Sequence, residues 1–172
     1  MKNTFLKPIF VIALAMMTAF TITFSVLSGQ VAAEEQSPDS LNVPARPIVG
    51  VWRNTVTIRN CQTGNQIITF QSLLTFHEGG TLSEFGASVS PALRSPSHGV
   101  WQASNPFHPT FAFTHLRFNA DGTFAGTQRI RATVSLGLDG NAFQSTATSE
   151  VLDVNDMVVG MGCATATATR FE

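Results

Sequence analysis

From residue 47 onward, apolar and β-branched residues alternate with polar ones in short runs, and turns rich in glycine, asparagine and aspartate separate those runs. Alternation with a period of two is typical of half-buried β-strands, and no stretch carries sustained helical periodicity. The turns at 78–80, 120–122 and 138–141 place residues that tolerate positive φ where a hairpin needs them. The pattern predicts eight strands, at 48–60, 66–77, 80–86, 98–103, 110–119, 123–136, 142–153 and 157–171.

Short turns between successive strands require antiparallel neighbours. A sequential antiparallel sheet of this size gains from closing on itself, because closure removes the exposed strand edges. We therefore predict an all-β domain, an up-and-down antiparallel barrel of about eight strands. The Ser- and Pro-rich segment at 87–97 interrupts the pattern and is long enough to act as a lid.

Alternation also predicts which side chains point into the barrel. On the first strand Trp52 and the even positions after it form the inward face, and on the sixth strand the even positions from Phe124 to Leu136 do so. On the last strand the inward positions are Ala164, Ala166 and Ala168. Small inward residues leave space inside a barrel.

The sequence does not decide which face of the strand at 110–119 points into the barrel. Phe111, Phe113 and His115 share one parity with Arg117, and this face would line the interior. The opposite face carries the apolar Leu116 and Phe118, which compete for the core.

The N-terminal region predicts export. Lys2 and Lys7 precede an uncharged apolar run at 9–27, and small residues at 28–33 resemble a signal-peptidase site, with cleavage expected after Ala33. The alternative is a retained membrane anchor, because the run approaches the ~20 residues that span a bilayer. No cysteine lies near the site to accept a lipid. We expect a signal peptide at 1–33, a linker at 34–46, a barrel domain at 47–172, and a periplasmic or extracellular location.

Charge excludes one class of partner. Both lysines leave with the signal, so the mature chain has eight arginines against 11 acidic residues and no basic cluster. Nucleic-acid binding needs a clustered positive surface and is not expected. No membrane partner is expected after cleavage, and the sequence does not indicate an oligomeric state.

Cys61 and Cys163 predict a disulfide, since an exported chain meets an oxidising compartment. If the first and last strands close the barrel as antiparallel neighbours, direct opposition of the cysteines requires paired positions to sum to 224. That register places Arg170 opposite Asn54, one diagonal step from Trp52.

Gly50-Val51-Trp52 at the first strand, together with Arg170 at the last, resembles the calycin pattern of lipocalins and their relatives. The segments at 76–82, 99–101 and 118–124 are similar to those of uncharacterised bacterial secreted lipocalin-like proteins. The resemblance implies that Trp52 plugs the closed end of the barrel and that Arg170 packs across its indole. The chain lacks the second lipocalin motif, T-D-Y, and the barrel of allene oxide cyclases is a similar alternative.

Barrels of this size either fill their interior with side chains or hold one small ligand. Small inward residues on the last two strands favour a cavity, with Gln128 as the polar group that orients a ligand. The alternative is that the aromatic residues fill the space. The predicted lining residues are Phe70, Phe76, Trp101, Phe124, Gln128, Phe143 and Ala166.

Arg94 lies in the long loop, where it could guard the barrel mouth or hold an anionic group, and His98 lies beside that loop as a second possible lid residue. Solvated side chains are the alternative interpretation. The remaining histidines, His77, His108 and His115, show no metal-ligand spacing with each other or with His98. No catalytic motif, metal site or cofactor is predicted.

Three functions are compatible with these features. The first is an exported barrel that binds a small apolar molecule. The second is an enzyme that uses the same cavity, an isomerase or cyclase for example. The third is a structural or interaction barrel with a filled core.

Overall fold

The computed structural model describes residues 48–171. The predicted signal peptide and linker lie outside the described residues and stay predictions. Eight strands follow one another: β1 Gly50–Arg59, β2 Gln66–Phe76, β3 Thr81–Gly86, β4 Ser97–Gln102, β5 Thr110–Phe118, β6 Phe124–Leu136, β7 Ala142–Leu152 and β8 Val158–Arg170. The all-β prediction is confirmed. Across 48–171, no helix has the length and apolar character needed to cross a membrane.

Each strand pairs antiparallel with the next, and β1 pairs with β8, so the sheet closes into the predicted up-and-down barrel. The structure agrees with the calycin resemblance in this architecture, a closed antiparallel barrel of eight strands. The turns that follow β2, β4 and β6 lie at one end, together with the start of β1. The turns that follow β1, β3, β5 and β7 lie at the other end, which we call the open end.

The predicted disulfide joins Cys61 and Cys163, whose Cα atoms are 5.2 Å apart. The predicted register between β1 and β8 is wrong by two residues, because Trp52 pairs with Arg170 and Arg59 pairs with Cys163. Cys61 lies beyond the end of β1, in the following turn. A turn residue can reach across to the neighbouring strand, so the bridge does not require direct strand opposition.

The structure also decides the orientation of β5. Phe111 and His115 are buried on the inward face, whereas Leu116 is 44% exposed. The prediction that Phe124 points inward is wrong, because Phe124 is 45% exposed. A register shift at the start of β6 places an extra residue between the pairs Arg117–Gly126 and Phe118–Phe124. One added residue reverses the face of every side chain beyond it.

Large side chains pack the end at which β1 starts, which we call the closed end. Trp52 is fully buried, and its indole Nε1 donates a hydrogen bond of 2.9 Å to the carbonyl of Ile48. The guanidinium carbon of Arg170 lies 4.3 Å from the centre of the Trp52 ring. The same guanidinium donates to the carbonyls of Val49 and Gly140, each at 2.7 Å. These contacts tie the first and last strands together below the barrel interior.

Candidate functional site

A cavity of about 380 Å³ lies between the packed closed end and the open end. One wall comes from β1, β7 and β8, which present small or branched side chains to it. Register explains the space: Ser145 pairs with Ala166, and Ala147 with Ala164, so two adjacent strands offer little inward volume. The residues of this wall are Val56, Ile58, Ser145, Ala147, Ser149, Gly162, Ala164 and Ala166.

The opposite wall carries a polar belt, which we define as Glu84, Ser97, His115 and Gln128. Glu84 on β3 pairs with Ser97 on β4, and His115 on β5 pairs with Gln128 on β6. The register between β4 and β5, in which His98 pairs with Thr114, brings Ser97 beside His115. Four neighbouring strands therefore each place one polar side chain at the same level of the interior.

Arg94 from the long loop binds this belt. Its Nη2 donates to Glu84 Oε2 at 2.7 Å and to Ser97 Oγ at 2.8 Å, and it lies 3.4 Å from His115 Nδ1. Its Nη1 donates to the Gly86 carbonyl at 3.3 Å. Charge-assisted bonds of this kind are shorter and stronger than neutral ones.

Glu84 and Ser97 complete the network. The Ser97 hydroxyl donates to Glu84 Oε2 at 2.6 Å and accepts from Arg94 Nη2. Its hydrogen and its oxygen therefore each make a hydrogen bond. Arg94 and Glu84 retain only 4% and 5% of their side-chain exposure. Removing either ion would leave the other buried without a counterion, which is strongly unfavourable.

His115 is the titratable group beside this network. Burial, reinforced by the positive charges of Arg94 and Arg117, lowers its pKa from 6.5 to about 4. Its imidazole is therefore neutral at neutral pH. Because Arg94 Nη2, which carries only N–H groups, lies 3.4 Å from Nδ1, a proton on Nδ1 would face another N–H, and the neutral ring keeps its proton on Nε2.

Other polar side chains around the cavity make no hydrogen bonds to residues 48–171. This group contains the hydroxyls of the buried Ser72 and Ser145 and the side-chain amide of the half-buried Gln128. Asn54 lies next to Ser72 on the neighbouring strand, toward the closed end. Its buried Oδ1 has no partner within the described range. Within the described range the interior thus contains one buried oxygen without a partner, on Asn54, and several polar side chains that are open to water or a ligand.

The long loop lies at the open end. Ser88, Val89 and Arg94 from this segment line the cavity. Ser95 binds Leu116 of β5 through two hydrogen bonds. The Ser95 N–H donates to the Leu116 carbonyl at 3.0 Å, and the Ser95 Oγ accepts from the Leu116 N–H at 3.0 Å. The loop is therefore attached to the barrel on the side of the polar belt.

The structure distributes the predicted lining residues over three places. Phe70, Gln128 and Ala166 line the cavity. Phe124 faces outward, as described above. The remaining three belong to the packed cluster of the closed end and do not line the cavity: Phe76, Trp101 and Phe143.

The two predicted lid residues separate as well. Arg94 is buried at the cavity wall and is neither a solvated side chain nor a free guard of the mouth. His98 is exposed on the outer surface, since it follows the inward Ser97 by one position on β4. It therefore has no part in the site.

Sequence reasoning missed Glu84 and Ser97. A signal was present, because Glu84 occupies the same parity as the buried Leu82 and therefore places a carboxylate on an inward face. A buried carboxylate needs a cation or several donors. Arg94, ten positions later, meets that need.

A second depression, of about 600 Å³, lies across the outer surface of β4 to β7. Side chains such as Val100 and Arg131 around it are exposed, so a molecule there would remain in contact with water. In the part of the chain from 48 to 171, no three His, Cys, Asp or Glu residues are grouped to hold a metal ion. The interior cavity is accordingly the candidate site.

Comparison of the chain with known protein families, with curated proteins and with solved structures finds no significant match.

Proposed function

We propose that this protein is an exported, calycin-like barrel that binds a small, mostly apolar molecule in the cavity between its closed and open ends. One observation carries the proposal: a cavity of about 380 Å³ whose apolar wall of small residues faces a short polar belt. Ligand sites are commonly concave, mainly apolar, and supplied with a few polar groups that orient the bound molecule.

The contrast between the two barrel levels supports a binding site over a filled core. At the closed end, Trp52 and Phe76 both pack against Phe143. The centre of the Phe143 ring lies 4.8 Å from that of Trp52 and 6.4 Å from that of Phe76. At the cavity level β7, which carries Phe143 at the closed end, presents Ser145 and Ala147, and the neighbouring β8 presents alanines. A barrel whose interior served only for packing would carry large side chains at both levels.

Export is supported by two features. The disulfide between Cys61 and Cys163 fits a protein of an oxidising compartment. The charged start, apolar run and small-residue site of residues 1–33 have the organisation of a secretory signal.

A fluorescent apolar probe tests the binding proposal. We expect N-phenylnaphthylamine to bind the mature protein saturably, with enhanced emission from a dry site. Ala166→Phe should abolish this binding, because the added ring occupies the space between Val56 and Ser145, the strand neighbours of Ala166. Thr167→Phe is the matched control, since the next residue of β8 is exposed on the outer face.

The outcomes separate the proposed functions. Saturable binding that survives Thr167→Phe and is lost in Ala166→Phe, with both variants folded, supports the cavity site. Absence of binding by the parent protein, or unfolding of Ala166→Phe by overpacking, favours the structural barrel with a filled core.

A cavity enzyme is the second candidate, and the buried network around His115 favours it. Perturbed titratable groups in a cavity are often found at catalytic sites. Native mass spectrometry of protein purified from its own source distinguishes the two candidates. A co-purifying molecule that stays unchanged on incubation supports binding, whereas its conversion supports an enzyme.

A further inference from the structure

The polar belt contains two groups that its own network does not use. Glu84 and Ser97 are engaged with each other and with Arg94. The side-chain amide of Gln128 makes no hydrogen bond with residues 48–171, and His115 is contacted only through Nδ1. Because His115 and Gln128 are paired residues on β5 and β6, their side chains are neighbours on the inward face.

We propose that the molecule held in the cavity carries an oxygen acceptor, a carbonyl or a carboxylate, that accepts hydrogen bonds from His115 Nε2 and from the side-chain amide of Gln128. This inference rests on the proposed function and names the ligand chemistry of the same site. Both residues line the cavity, opposite the small-residue wall on which the apolar part of the molecule would pack.

The position of Arg94 indicates which ring nitrogen of His115 is able to donate. Arg94 has no acceptor atoms, so a proton on Nδ1 would face a cationic N–H group 3.4 Å away, which favours an unprotonated Nδ1. The lowered pKa of His115 keeps the ring neutral at neutral pH, with its one proton on Nε2. Arg94 and Glu84 are therefore positioning residues, because they set the tautomer of His115.

The local charge also favours an acceptor. The positive charges of Arg94 and Arg117 both act on His115, and the Glu84 carboxylate offsets the first of them. Among the described residues, Arg117 has no ion-pair partner. A group with partial or full negative charge is thus stabilised beside His115, and a cationic group is disfavoured.

Three probes with the same naphthalene skeleton test this inference, by displacement of N-phenylnaphthylamine. Ethylnaphthalene has no oxygen, acetylnaphthalene has a neutral carbonyl, and naphthoate has a carboxylate. We expect at least one oxygen-bearing probe to bind about tenfold more tightly than ethylnaphthalene, the effect of one or two net hydrogen bonds. The tighter of the two identifies whether a carbonyl or a carboxylate is preferred.

The readout in the variants is the ratio of affinities for the oxygen-bearing probe and ethylnaphthalene. His115→Phe keeps a ring but removes one of the two donors, and we expect the ratio to fall by about threefold or more, while the Gln128 amide still donates. Gln128→Leu tests the second donor in case His115→Phe does not fold. His98→Phe makes the same chemical change on the outer surface of β4 and should leave the ratio as in the parent protein.

Equal binding of all three probes by the parent protein overturns the inference but leaves the proposed function standing. An unchanged ratio in both His115→Phe and Gln128→Leu does the same. If N-phenylnaphthylamine and all three naphthalene probes fail to bind, the proposed function itself is wrong, and the inference falls with it.

Discussion

The buried ion pair of Glu84 and Arg94 permits a quantitative test by a double-mutant cycle. Their side chains are 5% and 4% exposed, and the carboxylate and guanidinium are joined at 2.7 Å. Removing one partner of such a pair leaves the other charge buried without a counterion, which costs about 3–5 kcal/mol. We therefore expect Arg94→Met and Glu84→Leu each to lower the free energy of unfolding by about 3–5 kcal/mol.

The double variant should lose much less than the sum of the two single losses. The second substitution removes the charge that the first one left unpaired, so the expected total is about 1–3 kcal/mol instead of about 6–10. Part of this remaining loss comes from the Ser97 hydroxyl and the Gly86 carbonyl, which lose their Arg94 contacts. Urea unfolding at neutral pH, followed by far-ultraviolet circular dichroism, measures all four proteins.

The exposed pair of Arg131 and Glu150 provides the control. Its side chains are 53% and 30% exposed, so Arg131→Met should change stability little. If the losses of the Glu84 and Arg94 variants were additive within error, the two side chains would not be coupled. The buried network would then need a different physical description.

Three further predictions concern the covalent bridge, the barrel plug and the buried histidine. Reduction of the Cys61–Cys163 bridge, which spans a sequence separation of 102, should lower the thermal midpoint; the chain-entropy estimate is about 4–5 kcal/mol. Trp52→Ala should cost about 3–5 kcal/mol in urea unfolding, and Arg170→Ala less, since it removes contacts without opening a large void. For His115, the folded-state pKa lies below the ordinary value, so the unfolded chain binds its proton first as pH falls. Its contribution to stability is thus present above about pH 6.5 and is lost between that value and about pH 4, as nuclear magnetic resonance titration and unfolding against pH will measure.

Specific results would contradict each of these. Two thiols per chain that react in the unreduced, denatured protein would exclude the bridge. An Arg170→Ala loss larger than that of Trp52→Ala would show that the guanidinium, and not the indole, holds the closed end. A His115 titration midpoint near its ordinary value would mean that the ring is solvated.

Local alternation carried most of the information needed to predict the fold. Eight strands, their antiparallel order and most inward faces follow from a period of two between turn residues, and this signal can be read within each strand. The placement of Trp52 at the closed end, with Arg170 across its indole, came instead from the calycin resemblance of Gly50-Val51-Trp52 and Arg170. The fold therefore needed little information from distant residues.

Errors arose where the outcome depends on more than one strand. The face of Phe124 reversed because β6 has an extra residue relative to β5, and a single strand does not reveal a bulge. The β1–β8 register differed from the prediction because the disulfide joins a turn residue to a strand residue. The sequence pattern predicted Trp101 at the cavity, whereas it belongs to the closed-end cluster. Alternation assigns a side chain to the inner face of the barrel but does not give its height along the barrel axis.

Residue order alone was enough to predict a disulfide-closed β-barrel with small residues on part of its inner face, since these features depend on local pattern and composition. The polar belt arose only when the barrel closed. Its members come from β3, β4, β5 and β6, and Arg94 reaches them from a loop. The stagger between strands sets which of these side chains share one level, and that stagger is a property of the whole closed sheet. For this reason the buried Glu84–Arg94 pair could be recognised only in three dimensions, and the donor role proposed for His115 rests on that arrangement.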